Sequence, residues 1–378
     1  MRLYLCILEN TLNNNIHRNQ IIPLVEGGQG FALFLAPMFI FGRNGFSLNS
    51  MKYADDNVFH IRIPFLSYNF LLNIVLLPFL LFCVVPMIGF YVYKYKIGVI
   101  HARNHVSALC ALAYKKIFRK VRVIADFRGH YPEEGAILGR WSVGSLNFKA
   151  WKKLESYICL NVDTLVVISK RMRVYFSEKY NIQNVVYIPA LVDTKRFHYS
   201  DELRLDFRKK EGIETDEIVY LYVGSLGQWH DLDLFFEEID NDLLSHKIGK
   251  YRVYILSSID SLDYSELFFE RNVKVLTVPA NIVNSYLCGS DVGVLPGTRK
   301  IGPEYDLLYK TMISSKVEEY LCTGLRVLVN DRIEGVKEII SEAELVDDRG
   351  AGAEYYQCMF SVSVVKSKYS QLYGDLVD

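Results

Sequence analysis

The stretch ISSKVEEYLCTGLRVLV, Ile313–Val329, reads as a helix followed by a buried strand. Lys316 and Glu319 stand three residues apart, so they share one helical face near its start. Thr323 and Gly324 end the helix, and Arg326–Val329 form a short apolar strand. A carboxylate and an ammonium at the mouth of a β/α unit suit a ligand that carries hydroxyls and phosphates. The carboxylate accepts from hydroxyls, and the ammonium offsets phosphate charge. The same two residues also fit an exposed i, i+3 ion pair on a surface helix, and the residues alone leave both readings open.

Around this stretch the chain is long enough, at 378 residues, for two domains with separate cores. Hydrophobic residues make up 51%, and 43 basic side chains balance 43 acidic ones. With zero formal net charge there is no global field to draw the chain to nucleic acid. Seven cysteines are scattered, mostly inside apolar runs, which fits buried, reduced thiols rather than a disulfide framework or a zinc site. The start, MRLYLCILEN, reads as a first strand without a signal-peptide cleavage site. No cluster has metal-ligand spacing, and no residue is assigned to a cofactor.

Taken in order, Leu3 to Leu8 and Ile97 to His101 are strands of one parallel sheet. Between them Phe70 to Tyr93 carries no charge, broken by Pro78 and Pro86. These prolines should divide it into pieces shorter than a membrane span, buried or lying in the membrane interface, with Lys94 and Lys96 favouring anionic lipid. In VRVIADFRGHYPEEG, Val121 to Gly135, a strand carries a polar segment at its C-terminal end, where open α/β sheets place ligands. There Asp126 and Arg128 could line a site or merely pair with each other, and His130 could be an acid/base group or a plain loop histidine. A second β/α series opens at Ile218. In YLYVGSLGQWHDLDLFFEEI the glycine turn before the helix could cradle phosphate or be only a turn.

These pieces together resemble retaining glycosyltransferases of family 4. Their donor helix carries Glu-Tyr/Ala-x-x-x-Gly-x-Pro-Val; here Glu319, Gly324 and Val327 match, with Arg326 in the proline position. Ser315, Lys316, Glu319 and Tyr320 fit the Ser/Thr-Lys-x-x-Glu-Tyr form found in members that build bacterial surface polysaccharides. Asp126, Arg128 and Gly129 resemble the family's Asp-x-Arg-Gly. Glu155, Asp163, Val166, Val167 and Ser169 resemble its Glu…Ala-Asp-x-Val-Val-Ser, and His101 its preceding histidine. LVDTKRF, Leu191 to Phe197, resembles the segment that closes the first domain, and SDVGVLP a segment of the second. The chain departs at Thr311, where an earlier glutamate is usual, at Ser225, where arginine is common, and at His230, near an expected lysine.

The resemblance implies an α/β protein of GT-B type, two Rossmann-like domains facing across a cleft. They would cover residues 1–195 and 196–350, with 351–378 returning to the first. It implies retaining transfer of a sugar from a nucleotide diphosphate sugar to a saccharide or lipid-linked saccharide, without metal or cofactor. Gly224, Ser225, Arg299, Lys316 and Glu319 would hold the donor, and Asp126, Arg128 and His130 would serve the acceptor side. The expected location is cytoplasmic, peripheral on the inner face of the cell membrane. A nucleotide-sugar 2-epimerase of the same architecture and a non-catalytic subunit of a polysaccharide assembly are the competing readings.

Overall fold

The computed structural model describes residues 1–7, 15–25, 30–39, 58–65, 77–118, 120–224, 231–257, 271–340 and 348–376. The chain divides into two compact units. One comprises Met1–Pro189 with Val365–Asp378, the other Ala190–Val364.

The first unit is built on a seven-stranded, all-parallel sheet. Its strands are β1 (Arg2–Ile7), β2 (Gly30–Phe39), β3 (Val58–Phe65), β4 (Val99–Arg103), β5 (Arg122–Phe127), β6 (Thr164–Val167) and β7 (Val185–Tyr187). They lie in the order β3-β2-β1-β4-β5-β6-β7, so the winding reverses between β1 and β4. Ligands of open α/β sheets sit outside the carboxyl ends of the strands at such a reversal. β4 and β6 are buried along their whole length, as expected of parallel strands covered on both faces. The register sets Tyr4 opposite His101 and Arg103 opposite Asp126, which brings three strands' polar residues to one neighbourhood.

The apolar run differs from expectation. Within it a single helix, Leu77–Tyr95, passes through Pro86 without a break. Pro86 and Phe82, whose carbonyl loses its helical partner, both stand on the exposed side, where water can satisfy the freed oxygen. The part of the run before Leu77 lies outside the described residues.

The second unit has a five-stranded parallel sheet in the order β10-β9-β8-β11-β12. Its strands are β8 (Ile218–Val223), β9 (Tyr251–Leu256), β10 (Val273–Leu276), β11 (Val292–Leu295) and β12 (Arg326–Val329). The helix Ser315–Cys322 connects β11 to β12 by way of the preceding helix Pro303–Thr311. It buries Val317, Tyr320 and Leu321 in the main core of this unit and stops at Thr323, whose hydroxyl donates to the Tyr320 carbonyl at 2.9 Å. The Tyr320 ring packs against β11 at Gly293, and its hydroxyl oxygen accepts the Val223 N–H at 2.9 Å. The helix Arg349–Phe360 stays in this unit, where Gln357 donates to the Cys322 carbonyl at 2.9 Å. The return to the first unit therefore begins at Val365, inside the last helix, Val362–Asp375, and not at 351.

Gly293 gives a direct test of this arrangement. A Cβ there would stand 2.4 Å from the Tyr320 ring, which is fully buried and has no room to yield. Gly293→Ala is expected to lower unfolding free energy in urea by about 1–3 kcal/mol, the usual cost of overpacking a core. Unchanged stability would mean that the ring is not seated on β11.

Candidate functional site

In the second unit, the candidate residues gather at the carboxyl end of β8. Gly224 follows that strand with φ +140°, a left-handed conformation that favours glycine. Its missing side chain is also what admits Lys316: a Cβ at Gly224 would lie 2.5 Å from the lysine Nζ. The ammonium sits 3.2 Å from the Tyr222 hydroxyl and 4.9 Å from the centre of its ring. Burial pushes the Lys316 ammonium down to about 8, against the pull of Glu319. Glu319, one turn on, is half-buried, and burial pushes its carboxyl up to about 7, against Arg196 and Lys316. The neighbouring Glu318 is buried.

Arg299 follows β11, the strand next to β8, and is engaged by an acid. Its guanidinium makes an ion pair with Glu237 at 2.7 Å, with both side chains more than half exposed. Thr311, in the position of an earlier glutamate, is buried and donates to the Leu307 carbonyl at 2.7 Å. Ser225 and His230 lie outside the described residues. Sequence reasoning missed Arg196, the basic group with the larger effect on Glu319. It donates to the Ala280 carbonyl at 2.7 Å and lies over Phe197 at 4.6 Å. Its segment, LVDTKRF, reads as a boundary, and nothing local in it signals a ligand.

In the first unit, Asp126 stands one residue from the end of β5 as a fully buried carboxylate. One oxygen, Oδ2, accepts from Arg128 at 2.8 Å, from His101 Nε2 at 3.1 Å and from the Tyr4 hydroxyl at 3.2 Å. Burial pushes the Asp126 carboxyl up, but Arg128 and His101 together hold it well below the usual carboxylate range. Burial likewise lowers His101, with Asp126 opposing. An ionised carboxylate can only accept, so His101 carries its proton on Nε2. Nδ1 is then an acceptor, and its partner is the Tyr373 hydroxyl at 2.7 Å. Tyr369 completes the network by accepting from Arg128 at 2.9 Å. Both tyrosines come from the last helix, more than 240 residues away in sequence, and no local pattern could have announced them.

The structure brings Asp126 and Arg128 together but sets His130 apart. Its ring is fully buried, stacked on Phe176 at 5.4 Å and edge-on to Tyr175 at 5.0 Å. Burial pushes its pKa down to about 3, so in this state it is not a base poised near neutrality. Glu155 is also fully buried, and Lys152 at 2.5 Å and His105 at 3.4 Å hold it ionised against burial. Lys152 reaches Glu133 as well, at 2.9 Å, which braces three helices together. Among the described residues no three His, Cys, Asp or Glu side chains gather as a metal ion would require.

With this geometry in hand, comparison with known proteins gives consistent results. Residues 51–196 match the model of Glycosyltransferase Family 4. A search of curated proteins returns no match. Sucrose-phosphate synthase from Thermosynechococcus elongatus superposes with a TM-score of 0.64 at 15% identity, over 100% of this chain and 99% of that one. A glycosyltransferase from Rickettsia africae gives 0.61 at 13% identity, over 100% and 99%. Anabaena HepE in complex with UDP gives 0.60 at 11% identity, over 99% and 100%. The chain therefore has the GT-B fold of glycosyltransferases, and the family match supports an enzyme of that class.

The His101 network yields a spectroscopic expectation. Tyr373→Phe removes the donor to Nδ1 and leaves the Asp126 contact on Nε2 in place. A hydrogen bond to the neutral imidazole disfavours protonation, so its loss should raise the His101 pKa. A pH titration followed by ¹⁵N-edited NMR should show the His101 transition at higher pH in the variant than in wild type. A transition at the same or lower pH would refute the assigned tautomer.

Proposed function

We propose that this protein is a retaining glycosyltransferase that moves a sugar from a nucleotide diphosphate sugar to a lipid-linked saccharide in surface polysaccharide synthesis. The observation that carries the donor half is the grouping of Gly224, Lys316 and Glu319 at the carboxyl end of β8 in a GT-B fold. Relatives of this fold support it: Anabaena HepE has been seen with UDP and with UDP-glucose. Glu319 would accept from the donor's ribose hydroxyls. Lys316, and Arg196 in place of Arg299, would offset the diphosphate, aided by the positive start of the helix Ser315–Cys322. These cations would stabilise the leaving diphosphate without a divalent ion or other cofactor. Arg128, held by the buried Asp126, would orient the acceptor. Retention and the polysaccharide acceptor rest on the sequence resemblance at Ser315, Lys316, Glu319 and Tyr320. An acceptor of this kind would hold the enzyme at the inner face of the cell membrane.

Calorimetric titration with UDP-glucose, or with whichever nucleotide sugar most raises the melting temperature, tests the donor site. Glu319→Ala is expected to weaken binding by about 2–3 kcal/mol, by loss of charge-assisted hydrogen bonds. Glu237→Ala, at the exposed Arg299 pair, should leave affinity unchanged. Affinity should rise as pH passes about 7, where Glu319 ionises, and fall above about 8, where Lys316 loses its proton. Glu319→Gln should abolish the rise and keep the fall. Equal affinity in wild type and Glu319→Ala would overturn the donor assignment.

Metal dependence is a separate measurement. Sugar transfer is expected to persist in excess chelator. Complete loss, restored by Mg²⁺ or Mn²⁺, would reveal a ligand set that this reading lacks.

A further inference from the structure

The helix Leu77–Tyr95 has two faces of equal greasiness and different fates. Leu80, Val84, Val85, Ile88 and Val92 are buried against the first unit. The opposite side carries Phe79, Phe82, Pro86, Phe90 and Tyr93, at spacings that place them in one stripe. Phe82 is 78% exposed and Tyr93 89% exposed, with Phe79 and Phe90 about half exposed. The outer face of a covering helix is normally polar. Gly89 lies against Tyr114, one turn before the end of the helix Asn104–Phe118. That end exposes Ile117 and Phe118 as well.

The exposed charged side chains that this segment itself carries are basic. Lys94, Lys96, Lys116 and Lys120 are exposed, and no Asp or Glu occurs in the sequence between Asp56 and Asp126. Lys94 lies over the Phe90 and Tyr95 rings, at 5.6 and 5.1 Å, with its stem on the stripe. By length and composition this helix could cross a bilayer. Topology forbids it: β3 before the helix and β4 after it are parallel strands of one sheet, and a crossing would part them. A second copy of the same face would bring lysines against lysines. An aromatic stripe rimmed by lysines is complementary to the boundary between acyl chains and anionic headgroups.

We propose that this face seats the protein on an anionic bilayer, with Phe79, Phe82 and Phe90 inserted at the acyl boundary and Lys94, Lys96, Lys116 and Lys120 on the headgroup phosphates. The proposal gives the membrane association of the proposed function its contact surface and stands independently of the sugar chemistry.

The test is flotation of the purified full chain with vesicles of phosphatidylcholine alone and of phosphatidylcholine with about one-third phosphatidylglycerol, a composition whose negative surface attracts cations. Wild type should float with the anionic vesicles and release in high salt. The triple variant Phe79→Ser, Phe82→Ser, Phe90→Ser should bind at least about tenfold less, since each ring removes a large buried apolar area. Replacing the four lysines by Ser should cost a similar factor, each lysine contributing up to about fivefold. Both variants replace exposed side chains, so their melting temperatures and their nucleotide-sugar affinity should match wild type. The proposal is overturned if wild type ignores both vesicles, or if the variants bind as well as wild type. It is equally overturned if wild type is a dimer that the aromatic variant splits, which would make the face a self-interface. Donor titration on the same samples keeps failure of docking separate from failure of the glycosyltransferase reading.

Discussion

The placement of Lys316 and Glu319 depends on one side chain, Tyr320. Its ring presses on β11 at Gly293, and its hydroxyl takes the N–H of Val223, the last residue of β8. The ring and hydroxyl thus fix the helix Ser315–Cys322 against two strands at once. Lys316 and Glu319 ride on that helix, and their positions relative to Gly224 follow from it. The contact is possible only because position 293 has no Cβ. A buried tyrosine whose oxygen satisfies a strand-end amide also removes a polar group that would otherwise be stranded at the end of the sheet's central strand.

The first unit solves a harder problem, a carboxylate with no exposure. An isolated buried charge is costly, and removing one partner of a buried pair typically costs about 3–5 kcal/mol. Asp126 is therefore tied to Arg128, His101 and Tyr4 together, and the last helix supplies Tyr369 and Tyr373 to hold Arg128 and His101 in place. The C-terminal helix is part of the first unit's polar interior, not a strap over its surface. That dependence explains why the chain closes back on its first unit at all.

What the sequence disclosed follows from the range of each interaction. The β/α alternation, the helix-then-strand character of Ile313–Val329 and the common face of Lys316 and Glu319 are local, and periodicity reveals them. The link from His101 to Tyr373 spans 272 positions and leaves no local trace. Arg196 was legible as a residue and illegible as a neighbour of Glu319, for the same reason. His130 follows the strand by three residues and looked like a loop group. Its burial comes from Phe176 and Tyr175, which belong to a later helix. Pro86 misled in the other direction. Its helix-breaking tendency is real, but an exposed carbonyl side lets water compensate.

The two polar groupings differ in the direction in which burial and pairing move their acid and base. A structural pair drives its acid down and its base up, as Asp126 and Arg128 do. Each then contributes stability through ionisation. Lys316 and Glu319 move the opposite way: the base falls to about 8 and the acid rises to about 7. Burial outweighs their mutual attraction, so the folded protein bears a cost for charging them. Had they formed the exposed i, i+3 pair that the sequence also allowed, water would have left both near their ordinary values. Two half-buried, oppositely charged groups, Lys316 of which packs on Gly224, form a grouping whose electrostatic cost a ligand with hydroxyls and phosphates would relieve.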